Sequence, residues 1–431
     1  MKLKQPINSN YAAIVVEIKN LVKIENCDNV QHAIILGNSV VVSNEVKQGD
    51  IGIYFPLECK LSNEYLKANN LYRKAELNED STKKGYFEEN GRIRCVKFRG
   101  NKSEGLFMPI ESVSEFLEKG DNIEIGNEFD ELNGVKICEK YVVRIQNMSS
   151  LNRTKKDKKP KISKIIDGQF RFHEDTSMLY KNLDRIKPND IINISYKIHG
   201  TSGISSYVLC KKPLNIFEKT LKKLGVNVVD SKYDYLYSSR KVIKNEELNP
   251  NAQHFYNEDI WGIADKKLRD FLQKGMTFYY EICGFLPYTG GDIQKGYDYG
   301  CGEREFAIYI YRITTTNVDG KVFEYSAKQV QDFCKQNGLN AVPELYYGYA
   351  LDFVNYLNLG DNNFSEVFLQ TVKDKYNEKD CFMCKNIVPE EGCVIRIEKN
   401  EIEAYKAKSN RFYERETKML DKNETNLEDE N

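Results

Sequence analysis

The residues best suited to chemistry are Tyr196-Lys197-Ile198-His199-Gly200-Thr201-Ser202-Gly203. An apolar strand, predicted over 191–196, delivers a lysine, and a Gly/Ser/Thr turn follows it. A lysine at a strand end beside a tight turn can project into a cleft. Gly200 lets the backbone approach a bound nucleotide closely. Alone, K-x-x-G is a common pattern, most often a surface lysine before a turn. The ordered company downstream changes its meaning. Ser239-Arg240 comes first, then Tyr280-Glu281-Ile282-Cys283-Gly284 on an apolar strand, then Phe306-Ala307-Ile308-Tyr309-Ile310-Tyr311. Glu390-Glu391-Gly392-Cys393-Val394-Ile395-Arg396 and Tyr405-Lys406-Ala407-Lys408 complete the set. Strand side chains alternate faces, so Lys406 and Lys408 point the same way. Two lysines flanking a small Ala407 suit a triphosphate; the plain alternative is a solvated edge strand.

Other groups are weaker candidates. Cys381-Phe382-Met383-Cys384 with Cys393 offers three thiols, but no second C-x-x-C or nearby histidine completes a tetrahedral zinc set. His173 is expected to pack or hydrogen-bond. Gly290-Gly291 lacks the Lys-Ser/Thr and helix of a phosphate-binding P-loop. Arg92, Arg94, Lys97 and Arg99 could mark a nucleic-acid surface, although strand alternation would put the first two on one face and the last two on the other.

The elements that must position these residues fall into two parts. Over residues 1–150, short apolar runs at Tyr11–Ile18, Ala33–Leu36, Val40–Val42, Ile51–Phe55, Arg92–Phe98 and Leu106–Ile110 are separated by turn signals, with a Gly37-Asn38 turn. A polar insertion near 63–90 is expected to hold a short helix and a mobile loop. Such a pattern suggests a small closed β barrel, OB-like first and another small barrel second. A basic linker follows at 151–164, read as a solvated boundary or as a phosphate contact. Over 165–413, strands and helices mix without βαβ alternation, which argues for an α+β domain with antiparallel sheets. Helices are predicted from Leu214, Phe217, Leu221 and Leu224 with Gly225 as stop, and at Ser326–Gln336 with Gly338 beyond. Strands are expected at Thr277–Phe285, Phe306–Ile313, Val394–Glu398 and Ile402–Lys408. Residues 414–431 read as an acidic tail, either a frayed helix or disordered.

Composition narrows the function. With 63 Lys+Arg against 64 Asp+Glu, a uniformly basic nucleic-acid coat is excluded, so such affinity must come from local patches. No apolar run is long enough for a membrane span. The N-terminus shows no export signal, and 11 scattered cysteines read as reduced thiols in a cytoplasmic protein.

Taken together, the ordered motifs resemble the covalent nucleotidyltransferase superfamily of polynucleotide ligases and mRNA capping enzymes. The K-x-H-G-T form at Lys197 is similar to RNA ligase 2-like enzymes. The layout resembles the Deinococcus-type RNA ligases, the RNA ligase 5 group. Arg94-Cys95-Val96-Lys97-Phe98-Arg99-Gly100 through Ser103-Glu104-Gly105-Leu106 looks like that family's OB domain, and Phe172-His173-Glu174-Asp175-Thr176 is similar to its lead-in to the lysine. The resemblance implies an OB-like barrel before an α+β, ATP-grasp-like nucleotidyltransferase domain. It implies that Lys197 attacks the α-phosphorus of ATP to form lysyl-AMP, its amine neutralised by burial and by Arg240, Lys406 and Lys408. Arg240 would hold the α-phosphate or ribose, and Phe306 would stack on adenine. Lys406 and Lys408 would stabilise charge on the transferring phosphate. Glu391, with Glu281 next, would hold Mg²⁺ or Mn²⁺, Glu281 sharing that role with a ribose contact. Two positions depart from the pattern. Tyr196 stands where RNA ligase 2-like enzymes carry a glutamate, and His199 where many relatives carry an aspartate, so the metal rests more on Glu281 and Glu391; His199 is structural or catalytic with equal weight.

The activity implied is sealing of RNA 3′-OH and 5′-phosphate ends at nicks in RNA or RNA/DNA duplexes, by a monomer needing no protein partner. The alternatives are a GTP-dependent capping guanylyltransferase or DNA ligase, and a non-enzymatic OB-fold RNA-binding protein. The former usually carry their barrel after the last lysine motif, where too few residues follow Lys408; the latter would not need the whole set of charged residues.

Overall fold

The computed structural model describes residues 3–25, 27–98, 100–142, 164–245, 256, 258–354 and 363–422. Near the N-terminus, Ala13–Glu17 lies between Glu128–Phe129 and Ile51–Phe55, and Ile51–Phe55 pairs beyond with Leu106–Pro109, all antiparallel. Asn20–Lys23, Val30–Ile35 and Asn38–Ser43 form a meander. Its second turn sits at Leu36-Gly37, one residue earlier than expected. Both have positive φ, 50° and 76°, as a tight hairpin turn with matching twist requires. Ile53, Phe55, Tyr65 and Phe129 fill the barrel core. In the insertion, Asn63–Ala68 is helical and capped by Ser62. The mobile loop expected there is instead pinned: Leu71, Tyr72 and Phe87 are buried in the same core. The linker expected at 151–164 lies outside the described residues except for Lys164.

The rest of the chain is organised on two sheets. One runs Ser231–Ser239, Thr201–Lys211, Met276–Gly284, Phe306–Thr316, Val322–Glu324. The other runs Ser177–Met178, Glu403–Lys408, Gly392–Ile397, Ile191–Tyr196, Glu344–Tyr349. Pairing is antiparallel except where Ser177–Met178 joins Glu403–Lys408 and Asn340–Ala341 joins Phe306–Thr316. The sheets meet through Tyr196 and Ile198 on one side and Cys283, Ala307 and Tyr309 on the other. Ala327–Asn337 ends as expected: Ser326 caps it reciprocally with Gln329, and Gly338 closes it in the left-handed region. Ile216–Lys223 is also helical, but Ile216, Phe217 and Leu224 remain exposed.

Of the two readings of the acidic C-terminal stretch, the helix is the one found, and it is packed at its start. Asn410–Asp421 is a helix, and what lies beyond residue 422 is outside the described residues. Its Phe412 enters the core between the sheets while neighbouring Tyr413 packs on the barrel core. The helix therefore fastens the barrel to the sheets. Among the described residues no helix is long and apolar enough to cross a membrane.

Candidate active site

The site begins where Ile191–Tyr196 ends. Ile192 and Ile194 anchor that strand in the core, so Lys197 emerges at a fixed edge. Its backbone N–H donates to the Gly392 carbonyl at 2.9 Å. Gly392 has φ +136°, and a Cβ there would strike the Ala407 carbonyl, so glycine is required for the three strand ends to meet. That junction sets Glu391 beside Lys197: the Lys197 Nζ donates to Glu391 Oε1. The carboxylate is 0% exposed and the lysine side chain 19%, so the amine keeps an opening that its partner lacks. The Ser409 N–H donates to the Glu391 carbonyl at 2.8 Å, which ties the C-terminal helix to the same residue.

His199 closes the back of the site. Its N–H donates to the Tyr299 hydroxyl at 2.6 Å, its ring meets Tyr297 and Phe412 edge-on, and its Nδ1 lies 3.8 Å from Glu391 Oε2. Gly200 has a neighbour other than the one expected. A Cβ there would collide with the Ile282 carbonyl and come within 3.2 Å of Glu281 Oε2, so this glycine serves strand approach. Met276–Gly284 is buried along its length except at Glu281, which is half-buried.

Arg240, after the strand Ser231–Ser239, donates to Asp175 Oδ1. Burial works to raise the Asp175 carboxyl, but Arg240 first and then Lys406 outweigh it and hold it below the usual range. His173, two residues earlier, is driven down to about 3 by burial, then by Arg240 and Arg312, with Lys197 also contributing. It is therefore neutral, its Nδ1 3.3 Å from the Tyr311 hydroxyl, in keeping with the packing and hydrogen-bonding role expected. The segment 173–175 thus shares a field with Lys197, Arg240 and Lys406.

Two expectations need correction. Phe306 is not brought to the face of the sheet that carries Glu281, the groove side of the proposed site. In Phe306–Thr316, Phe306, Ile308 and Ile310 pack on the core behind the sheet, with the Lys267 ammonium 4.2 Å over the Phe306 ring. Ala307, Tyr309 and Tyr311 face the other way, toward Tyr196, and Tyr309 pairs with Glu281. Alternation along the strand could have separated the two sets, but both are apolar enough to be the inner one. Lys408 is the second correction. It shares a face with Lys406, yet its amine reaches Glu58 of the barrel at 3.0 Å and Glu416 at 3.9 Å, under the rings of Phe412 and Tyr413, at 3% exposure. Nothing local in the sequence marks Glu58.

The basic residues of the barrel are also spoken for. Arg92 and Arg94 face Asp421 at 3.5 and 3.4 Å, and Lys97 pairs with Glu414 at 2.9 Å. Residues 92–95 are not a strand, so the expected alternation does not apply, and Arg99 lies outside the described residues. Among the described residues no three His, Cys, Asp or Glu converge as metal ligands. Glu391 lies 3.8 Å from the ring of His199 and Glu281 borders the adjacent Gly200; both are hard oxygen donors, the kind a cation with few protein ligands and a shell of phosphates and water takes.

A family model described as an OB-fold domain matches residues 12–110. No curated protein matches the sequence. Among solved structures, a substituted Naegleria gruberi RNA ligase with ATP and Mn aligns at TM-score 0.59 and 16% identity, over 95% of this chain and 99% of that one. A substituted apo form of the same ligase aligns at TM-score 0.58 and 16% identity, over 96% and 100%. A third, with AMP and Mn, aligns at TM-score 0.57 and 15% identity, over 94% and 98%. At such identity the likeness is one of fold, and it runs from the barrel to the C-terminal helix.

Proposed function

We propose that this chain is an ATP-dependent RNA ligase of the Deinococcus-type group, with an RNA ligase 2-like K-x-H-G motif. It would join RNA 3′-OH and 5′-phosphate ends at nicks in duplexes. The observation that carries the reading is the Lys197 amine, partly open to solvent and seated on a fully buried Glu391, with Arg240 and Lys406 acting on the neighbouring 173–175 segment.

The chemistry follows from these residues. The Lys197 nitrogen attacks the α-phosphorus of ATP; an N–P bond forms, the P–O bond to pyrophosphate breaks, and lysyl-AMP results. Arg240 exchanges Asp175 for a phosphate, a bidentate partner of similar geometry. Lys406 stabilises charge on the transferring group. Tyr309, not Phe306, offers a ring on the groove face for the base. A divalent cation held by Glu391, with Glu281 as second carboxylate, would supply phosphate neutralisation and compete with the amine for Glu391. AMP then passes to the RNA 5′-phosphate, and the 3′-OH displaces it.

The test mixes the full chain with α-labelled ATP and Mg²⁺ or Mn²⁺. Label should reach the protein, and both Lys197→Ala and Lys197→Arg should abolish it, since arginine stays protonated. Labelling from GTP instead would point to capping chemistry. A duplex carrying a nick with an RNA 3′-OH should then be sealed; labelling without sealing would refute the ligase.

A further inference from the structure

The C-x-x-C at Cys381–Cys384 is not absorbed by the chemistry above, and it lies against it. Cys381-Phe382-Met383-Cys384 is a turn in which the Cys384 N–H donates to the Cys381 carbonyl at 3.3 Å. Such a turn brings its first and last Cα atoms within about 7 Å, and a disulfide spans Cα separations of about 4.4–6.8 Å. The turn is held from outside. Asp298 accepts N–H bonds from Gly300, Lys385 and Asn386 at 2.8–2.9 Å, and the Cys381 N–H donates to the Val388 carbonyl at 2.8 Å. Both thiols are free; Cys381 is buried and Cys384 half-buried, so one of them can be reached. Phe382, between them, is largely exposed and packs edge-on against Tyr196 at 4.8 Å, the residue before Lys197. The same segment continues directly into Glu390-Glu391.

We propose that Cys381 and Cys384 are a reversible dithiol–disulfide site, closed by thiol–disulfide exchange with a low-molecular-weight disulfide and felt at Lys197 through Phe382 and Tyr196. The Cys384 sulfur attacks the small disulfide; that S–S bond breaks, one thiol leaves, and a mixed disulfide forms. The Cys381 sulfur then attacks the Cys384 sulfur and expels the second thiol. Two S–H protons end on the two released thiols, and the protein loses two electrons to the small disulfide, which is reduced. The hydrogen bond between the two thiols lowers Cys381 to about 6 against the opposing effect of burial and raises Cys384, so the pair sheds one proton near neutrality; as the reachable Cys384 attacks, its own proton passes along that bond to Cys381.

Trypsin should release Asp380–Lys385, which contains both cysteines. After the native full chain meets glutathione disulfide and then iodoacetamide, this peptide should be two hydrogens lighter and unalkylated, and dithiothreitol should reverse the change. Cys381→Ser should leave a stable glutathione adduct on Cys384, and Cys301→Ser should leave closure intact. Two alkylated thiols, a lasting adduct on the unsubstituted chain, or a bond from Cys384 to Cys301 would overturn the site. The coupling to Lys197 rests on the ligase reading. Oxidation should slow label transfer from ATP at least fivefold, reversibly, and Cys384→Ser should be insensitive. Closure with unchanged transfer would overturn the coupling. A chain that takes no label in either state would fail the ligase reading and the coupling together while the mass result decides the disulfide.

Discussion

Two lysine–glutamate pairs show how placement alone divides an accessible charge from a sealed one. In the groove, Lys197 meets Glu391 with the amine partly open and the carboxylate sealed. In the seam between barrel and sheets, Lys408 meets Glu58 with the roles reversed: the amine is sealed under two rings and the carboxylate is the more exposed partner. An open amine on a fixed carboxylate can change partners for a substrate. A sealed amine cannot leave without exposing a buried charge, so it holds the two halves of the molecule together.

The largest expected effect tests the groove. Glu391→Gln should cut label transfer from ATP about a hundredfold or more, the scale of losing one charged group aimed at a phosphate site. Thermal unfolding should move little, because Lys197 already reaches solvent. Intact transfer with a collapsed melting temperature would reverse the assignment. Next in size, Lys408→Ala should destabilise the chain by about 3 kcal/mol, read from urea unfolding, since it removes the cation that hydrogen-bonds Glu58 at this closed seam and leaves the weaker pull of Lys406 and Lys140. Its label transfer should stay within tenfold of the parent. A stable variant that no longer takes label would return Lys408 to the groove.

The same contrast explains what the sequence made legible. Lys197, Glu281, Glu391 and Lys406 sit at strand ends or on strands whose apolar runs are local, so their place on the strands could be read from neighbours. The face of Phe306–Tyr311 could not, because both alternating sets are apolar and only the partner sheet decides which is inner. The Glu58–Lys408 pair joins residues 350 positions apart, a distance no local period spans. The C-terminal helix was one of two readings its charge-rich composition allowed; its docking was not legible, because Phe412 and Tyr413 at its start find their partners in distant elements. The exposed helix Ile216–Lys223 shows the converse, since its periodicity predicts the element and not its burial.

Titration offers a smaller and more selective test. Glu58 is held below the ordinary carboxylate range because Lys408, Lys406 and Lys140 outweigh burial. Glu390, buried beside the cysteine turn, is pushed up to about 7, chiefly by burial. The folded state therefore gives up the Glu58 proton more readily than the unfolded chain, and its stabilisation is full above the unfolded value and lost as pH falls through the folded one. For Glu390 the folded state keeps a proton that the unfolded chain has released, so stability falls as pH rises from 4.5 to about 7. Glu58→Gln should destabilise at neutral pH and be nearly silent in acid. Glu390→Gln should stabilise above pH 7 and be silent in acid. Parallel pH profiles for the two variants would show that the seam cations do not outweigh burial.

The smallest effect belongs to the rim of the seam. Lys97 and Glu414 are 2.9 Å apart, close enough to count as strong by distance alone, but the lysine is 48% exposed. Water and salt already solvate such a charge, so the pair gains little by forming. Lys97→Ala should lower the unfolding free energy measured in urea by no more than about 0.5 kcal/mol, and added salt should erase even that. Lys408 and Lys97 both reach carboxylates at nearly the same separation, so their difference isolates burial from distance. A Lys97→Ala loss as large as that of Lys408→Ala would mean that the contact of the C-terminal helix with the barrel, and not the sealed amine, is what joins the two halves.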